Sequence, residues 1–230
     1  MEHHLSIEES IRFGWEKTRQ HSKIIFQTLL TLFGVQIAEQ IVMRVLANTL
    51  DGALASAVLF VLAVVLGIGF TFIMLRIAQG KHVVYADIIP TIRTSIAYIG
   101  ATVLAGIVTV VPLIVALVVC LVAFAVLPNT AAMVVSAIVV AAAFVTAAYF
   151  ALRYALVRFA ILDDNDIIKS LRTSAHLTEG RKWWLLGFAI TIGLLNILGA
   201  ILLLVGLLVT IPITMFALSH VYVKLQAHHS

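Results

Sequence analysis

Six apolar stretches, each about as long as a bilayer is thick, constrain this chain more than any other feature. They run over 24–46, 54–76, 97–127, 131–158, 183–203 and 205–224. About twenty apolar residues in a helix span the hydrocarbon core of a membrane. The region 183–224 cannot be one span, because as a single helix it would reach roughly 60 Å. Asn196, Gly199 and Gly206 offer a turn within it, with the break expected between 199 and 206. Leu127-Pro128-Asn129-Thr130 reads as a hairpin, Pro ending one helix and Asn or Thr capping the next. Pro112 and Pro212 fall inside spans and predict kinks, tolerated where neighbouring helices cover the freed carbonyls.

Composition excludes the alternatives. The chain is 62% hydrophobic and 11% charged, whereas soluble domains average about 45–50% apolar and about 25% charged. A large soluble core would need about twice this charge to cover its surface. A transmembrane barrel would alternate over ~10-residue segments, but these runs are continuous. The expected class is therefore all-α: a single polytopic domain with six transmembrane helices. The segment before Ile24 carries Glu8, Glu9, Arg12, Glu16, Lys17, Arg19 and Lys23 and has no apolar core, so no cleavable signal peptide is expected. Cys120 is the one cysteine and lies in an apolar run, which excludes an intrachain disulfide and suits an inert thiol.

Charge placement sets the orientation. Fourteen of the fifteen Lys and Arg fall before the first span, between spans two and three, between four and five, or at helix ends on those sides. Only Arg44 lies toward the other face. The positive-inside rule then places both termini in the cytoplasm. So many cations on one leaflet imply affinity for anionic lipid, making membrane lipids the expected partners. A membrane-protein partner or a homo-oligomer stays open, and nucleic acid is not expected.

Three segments read nearly alike at intervals of about eighty residues: Ser6-Ile7-Glu8-Glu9-Ser10-Ile11-Arg12, Asp87-Ile88-Ile89-Pro90-Thr91-Ile92-Arg93 and Asp166-Ile167-Ile168-Lys169-Ser170-Leu171-Arg172. Each opens on a helix-capping residue, sets two aliphatics four apart and closes on Ser or Thr, an aliphatic and Arg. Ser6 with Glu9 makes a capping box, and Pro90 would sit in a first helical turn. The pairs Ile7/Ile11, Ile88/Ile92 and Ile167/Leu171 predict an apolar stripe on each helix. The third helix should end at Glu179-Gly180, before the anchor Arg181-Lys182-Trp183-Trp184. The expected plan is three units, about 1–80, 81–161 and 162–230, each an amphipathic helix at the cytoplasmic surface followed by a transmembrane hairpin.

Residues able to carry chemistry are few. Gln36, Gln40, Arg44 and Asn48 recur every four residues along the first span, with Glu39 beside them. An ionisable group inside a span is a functional candidate because it is costly there. Three readings stay open: a Gln-paired or protonated Glu39 joining helices, a solute, ion or proton pathway, and an oligomer interface. The four-residue spacing predicts that this face lines the bundle interior or a polar cavity. Arg153 and Arg158, flanked by Tyr149, Tyr154 and Phe159, read as interfacial anchors. The sharper reading is a lipid-phosphate site shared with Arg76, Arg93 or Arg172. His3-His4 and His228-His229 are terminal, while His82, His176 and His220 stand alone and read as loop or surface residues. Asp163-Asp164-Asn165-Asp166 lacks the Gly and terminal Glu of a calcium loop and reads as a solvated turn and cap. No HExxH, GxSxG or P-loop is present, so no catalytic, metal or cofactor site is expected. Ala143, Ala147 and Ala151, with Ala137 and Ala141 on a nearby row, form a small-xxx-small pattern that marks the fourth span as the most tightly packed.

The segment Ala160-Ile161-Leu162-Asp163-Asp164-Asn165, followed by Ile167-Ile168-Lys169-Ser170-Leu171-Arg172-Thr173-Ser174-Ala175-His176-Leu177-Thr178, resembles the YciC-like bacterial inner-membrane proteins. It is more distantly similar to the membrane domain fused to some glycerophosphodiester phosphodiesterases. The resemblance implies six spans, a bacterial inner membrane and no enzyme, since the catalytic phosphodiesterase domain has no counterpart here. The leading expectation is a non-enzymatic envelope protein acting through lipid or protein contacts, in an accessory or homeostasis role. The alternative is a small-solute or ion transporter or channel using the Gln36/Glu39/Gln40 face.

Overall fold

A computed structural model describes residues 6–46, 49–202 and 206–227. In chain order its helices are α1 (Ile7–Gln20), α2 (Ser22–Val45), α3 (Leu50–Ala78), α4 (Ile92–Val126), α5 (Asn129–Arg153), α6 (Val157–Asp164), α7 (Ile167–Leu177), α8 (Lys182–Ile201) and α9 (Leu207–Ala227), with a 3-10 turn at Tyr85–Ile88. Among the described residues six segments are long and apolar enough to cross a membrane: α2, α3, α4, Asn129–Asp164 (α5 with α6), α8 and α9. The protein is an all-helical membrane protein, and these six segments overlap the six expected spans. Asn48 and residues 203–205, part of the stretch where the sequence puts the last break, lie outside the described residues, as do the terminal histidine pairs.

Local chemistry sets the helix ends. Ser6 caps α1 by accepting from the Glu9 N–H (3.5 Å), and Asp166 caps α7 by accepting from the Lys169 N–H (2.9 Å). Thr49 caps α3 through the Gly52 N–H (3.0 Å), and a side chain at 52 would collide with the Leu46 carbonyl. After α7 the chain reverses at Gly180, whose φ of 72° suits glycine. Two start sites differ from expectation. Pro128 itself is the N-cap residue of α5, with Asn129 already helical. The second copy of the repeated motif forms no separate helix at Asp87. Asp87 sits in the 3-10 turn, Ile89 is extended (φ −105°, ψ 93°) and α4 begins after Pro90. Proline excludes the residue before it from helical backbone, so Ile89-Pro90 ends one turn instead of starting a helix.

The chain forms two compact units, Met1–Ser95 with Phe188–Ser230, and Ile96–Gly187. In the first, α2, α3, α9 and the 3-10 turn close on Ile25, Leu29, Leu66, Phe70, Ile73, Met74, Ile77, Ile88 and Phe216. Two glycines permit the closest approaches. Gly69 lets the Ile88 backbone lie on α3, and Gly14 lets α1 lie against the Ile213 carbonyl of α9. In the second unit the buried positions of α4 include Ala101, Ala105, Ala116 and Ala123, and those of α5 are Ala132, Ala143 and Ala147. Small side chains let helices approach where no hydrophobic force drives them together in lipid. The expected alanine row is thus only partly right, since Ala137, Ala141 and Ala151 are exposed. Nor is the fourth span the most buried: half of the apolar window is buried in α3 and in α9, against 17% in Asn129–Asp164.

The contacts of Gly69 make a clean test against Gly67, which has open space around it. Gly69→Ala should destabilise the detergent-solubilised protein by about 2 kcal/mol, lowering Tm by roughly 4–8 °C. Gly67→Ala, two residues earlier and on roughly the opposite side of α3, should leave it unchanged or stabilise it by roughly 0.5–1 kcal/mol. Thermal unfolding of the two variants checks both.

Candidate functional site

Polar chemistry gathers at the helix ends that carry the cations. In the first unit the Lys224 ammonium donates to both carboxylate oxygens of Glu9 (2.7 and 2.8 Å). His220, one turn before Lys224, stacks its ring on Phe13 (centroids 4.2 Å apart) and places Nε2 3.8 Å from Glu9. His220 is therefore not the loop or surface residue the sequence suggests: it is wedged between α1 and α9. Glu9 and Lys224 keep 43% and 22% of their side-chain exposure, so solvent still screens the pair. The ion pair, the ring stack and the Gly14 contact together fasten the amphipathic α1 along α9.

In the second unit the focus is the C-terminus of α5. A helix end leaves carbonyls without intrahelical partners, which is costly beside hydrocarbon. The Arg153 carbonyl receives the Ser174 hydroxyl of α7 (3.0 Å) and the hydroxyl of Thr178, the C-cap residue of α7 (3.2 Å). The Arg153 guanidinium donates to the Tyr149 hydroxyl (3.1 Å), and the Lys182 ammonium lies 3.9 Å above the Tyr149 ring. One tyrosine thus gathers two cations from α5 and α8 at a single helix end. Asp164 accepts from Lys169 (2.8 Å). That hydrogen bond, with the negative charge behind it, raises the Lys169 pKa above its ordinary 10.5. On the lysine side the contact is fully present at neutral pH and is lost as the pH climbs through that raised value.

On the amphipathic helices the most buried positions are small or hydroxyl residues that flank the expected aliphatic pairs on the same side of the helix. The buried residues of α7 are Ser170, Ser174 and Leu177, with its C-cap Thr178 buried as well, while Ile168 is exposed and Ile167 and Leu171 are half-buried. Those of α1 are Ser10 and Gly14, with Thr18 half-buried. Counting two residues past each motif arginine gives Gly14, Ser95 and Ser174, and all three are buried. The signal was present in the sequence as a small residue at one fixed offset, but the aliphatic pairs beside it are louder. The arginines Arg12, Arg93 and Arg172 are exposed in all three copies.

The other candidates are dispersed. Gln36, Gln40 and Arg44 lie on the exposed side of α2 and Glu39 is half-buried, while the buried residues of α2 are Ile25, Thr28 and Leu29 near its start. Arg76 folds over Phe72 (4.4 Å), Arg158 is exposed and Arg153 is engaged as described. Such cationic side chains can hold phosphate or carboxylate groups at a membrane surface. Between α1, α8 and α9 lies an apolar groove of about 760 Å³ walled by Ile7, Ile11, Trp15, Leu195 and Ile213, with Arg12 among its lining.

A double-mutant cycle on Glu9→Gln and Lys224→Met should return a coupling of about 1 kcal/mol in thermal unfolding. Each single change should also expose α1 to limited proteolysis. A coupling near zero with unchanged proteolysis would reduce the pair to a surface contact.

Comparison with protein-family profiles, curated proteins and solved structures yields no match.

Proposed function

We propose that this chain is a non-enzymatic protein of the bacterial inner membrane, acting through anionic lipid and partner proteins in an envelope accessory or homeostasis role. Both termini and the cationic helix ends face the cytoplasm in this reading. The single observation that carries it is the contrast between an apolar-filled interior and cationic ends. The core of the first unit is built from Ile, Leu, Phe and Met side chains, while Arg12, Arg93, Arg158 and Arg172 are left exposed. The exposed placement of Gln36 and Gln40 gives the transport alternative less support than an inward-facing polar stripe would.

The YciC-like assignment and the three-unit plan belong to the same proposal. Support for the repeat comes from the capped helices α1 and α7, from the buried small residue after each motif arginine, and from the exposure of those arginines. In the second unit of the plan the surface helix is fused into the span that follows, because Pro90 delays its start.

The test is lipid retention. Purified protein in mixed phosphatidylglycerol and phosphatidylcholine nanodiscs should enrich the anionic lipid, as read by native mass spectrometry. Replacing Arg93, Arg153, Arg158 and Arg172 singly by Gln should weaken that retention by up to roughly fivefold each. High salt should weaken it further. Ion or solute flux into proteoliposomes above the empty-vesicle rate, abolished by Glu39→Gln, would overturn the proposal in favour of transport. A fluorescent protein fused after Ala227 should be cytoplasmic; its appearance on the outer side would refute the orientation.

A further inference from the structure

We infer that the first transmembrane hairpin carries a binding pocket for a phosphate monoester, most readily the headgroup of a phosphatidic-acid-type lipid. The pocket holds about 450 Å³, inside the roughly 300–1,000 Å³ range of small-ligand sites. Its lining comes from three pieces of chain: the start of α2, the end of α3 and the segment leading to the 3-10 turn. Four of the lining residues are cationic or can become so: His21, Lys23, Lys81 and His82. Gln27 and Tyr85 add neutral hydrogen-bonding groups, and no carboxylate lines the pocket among the described residues.

Backbone turns and a hydrogen-bonded wall fix the places of these residues, with Lys23, Lys81 and His82 reaching solvent. Gly80, at φ 71°, turns the chain out of α3, and the Lys81 N–H bonds back to the Arg76 carbonyl (2.9 Å). His21 sits at the joint between α1 and α2, with Nδ1 3.3 Å from the Lys17 carbonyl. The Tyr85 wall is pinned to α2 by a 2.6 Å hydrogen bond between its hydroxyl and that of Thr31. Asp87, on the same segment, is turned to structural use, its carboxylate accepting from the Val84 N–H (3.0 Å). The apolar side of the pocket is Ile24, Ile77 and Val83, which belong to or pack on the core of the unit.

Charge count selects the ligand. A phosphodiester headgroup brings one negative charge, whereas a phosphate monoester brings about −1.5 to −2 near neutral pH and three acceptor oxygens. Two lysines and two histidines, without an opposing carboxylate, match the second. The apolar side suits the glycerol and first methylenes of a lipid. Ile24 and Ile77 belong to the candidate spans of α2 and α3, which places the pocket at the end of the hydrocarbon region. This inference rests on the lipid-contact reading and narrows it to one lipid chemistry and one site.

The experiment uses the full-length protein in phosphatidylcholine nanodiscs. It titrates short-chain phosphatidic acid, short-chain phosphatidylglycerol and inorganic phosphate, with binding read by native mass spectrometry. Wild-type protein should hold phosphatidic acid about tenfold more tightly than phosphatidylglycerol. Lys23→Gln with Lys81→Gln should lose tenfold or more of that affinity, in line with the loss of two charge-assisted contacts. Lys17→Gln with Arg19→Gln removes equal charge from α1 and should change it by less than about threefold. His82→Gln alone, a milder change, should give an intermediate loss. Competition by inorganic phosphate would extend the ligand class to free phosphate esters; its failure would confine the class to lipid. If phosphatidic acid binds the Lys23/Lys81 double variant as it binds wild type, or if both double variants lose equally, the pocket is wrong while general anionic-lipid contact stands. If wild type retains neither lipid above phosphatidylcholine, the broader reading falls with it.

Discussion

Backbone polar groups that enter hydrocarbon have no water to bond with, and the structure depends on how that constraint is met wherever a helix stops. Within a helix the ladder satisfies itself. At an end it does not, and this chain supplies a specific partner at several such places. Thr49 serves the start of α3, Asp166 the start of α7, and two hydroxyls, from α7 and its C-cap residue, converge on the last carbonyl of α5. The short surface helix α7 is thereby tied to the span before it by hydrogen bonds, with its serine face turned inward. Ile168 and Arg172 are left exposed on its other side, while Ile167 packs beside Gly100 of α4.

How far the sequence could be read follows from the range of each interaction. Spans were legible because twenty apolar residues in a row have few other uses, and caps at Ser6 and Asp166 because capping acts over three residues. The start of α4 was misread because the aliphatic spacing at Asp87 was weighed above the constraint Pro90 puts on Ile89. The Ser170/Ser174/Thr178 row was overlooked because hydroxyls on an amphipathic helix ordinarily mark its wet face, and the carbonyl that Ser174 and Thr178 bond to lies 21 and 25 residues upstream. The Gln36/Gln40/Arg44 stripe has a clear period, but a period says only that residues share a face. Which neighbour covers that face is settled by tertiary packing, and the early turns of α2 take that packing for themselves.

Small residues have two uses here. Gly14 and Gly69 allow a backbone to rest on a helix, while the alanines of α4 and α5 occupy most of the buried positions in their spans. Since lipid tails are as apolar as leucine, burying a large aliphatic gains little in this setting, and close approach counts for more. The large aliphatics accordingly gather in the core shared by α2, α3 and α9 or face outward in numbers such as Ile107, Leu117 and Phe144.

The Glu9–Lys224 contact joins residues 215 positions apart. During synthesis Glu9 has no Lys224 to meet until the ninth helix has been made, so α1 waits on its own apolar stripe through the insertion of every span. Docking of α1 on α9 therefore has to follow the synthesis of the last helix. A chain truncated before α9 would keep its first helix loose and its cationic face unburdened by a partner, a state that quality-control proteases could distinguish from the finished protein.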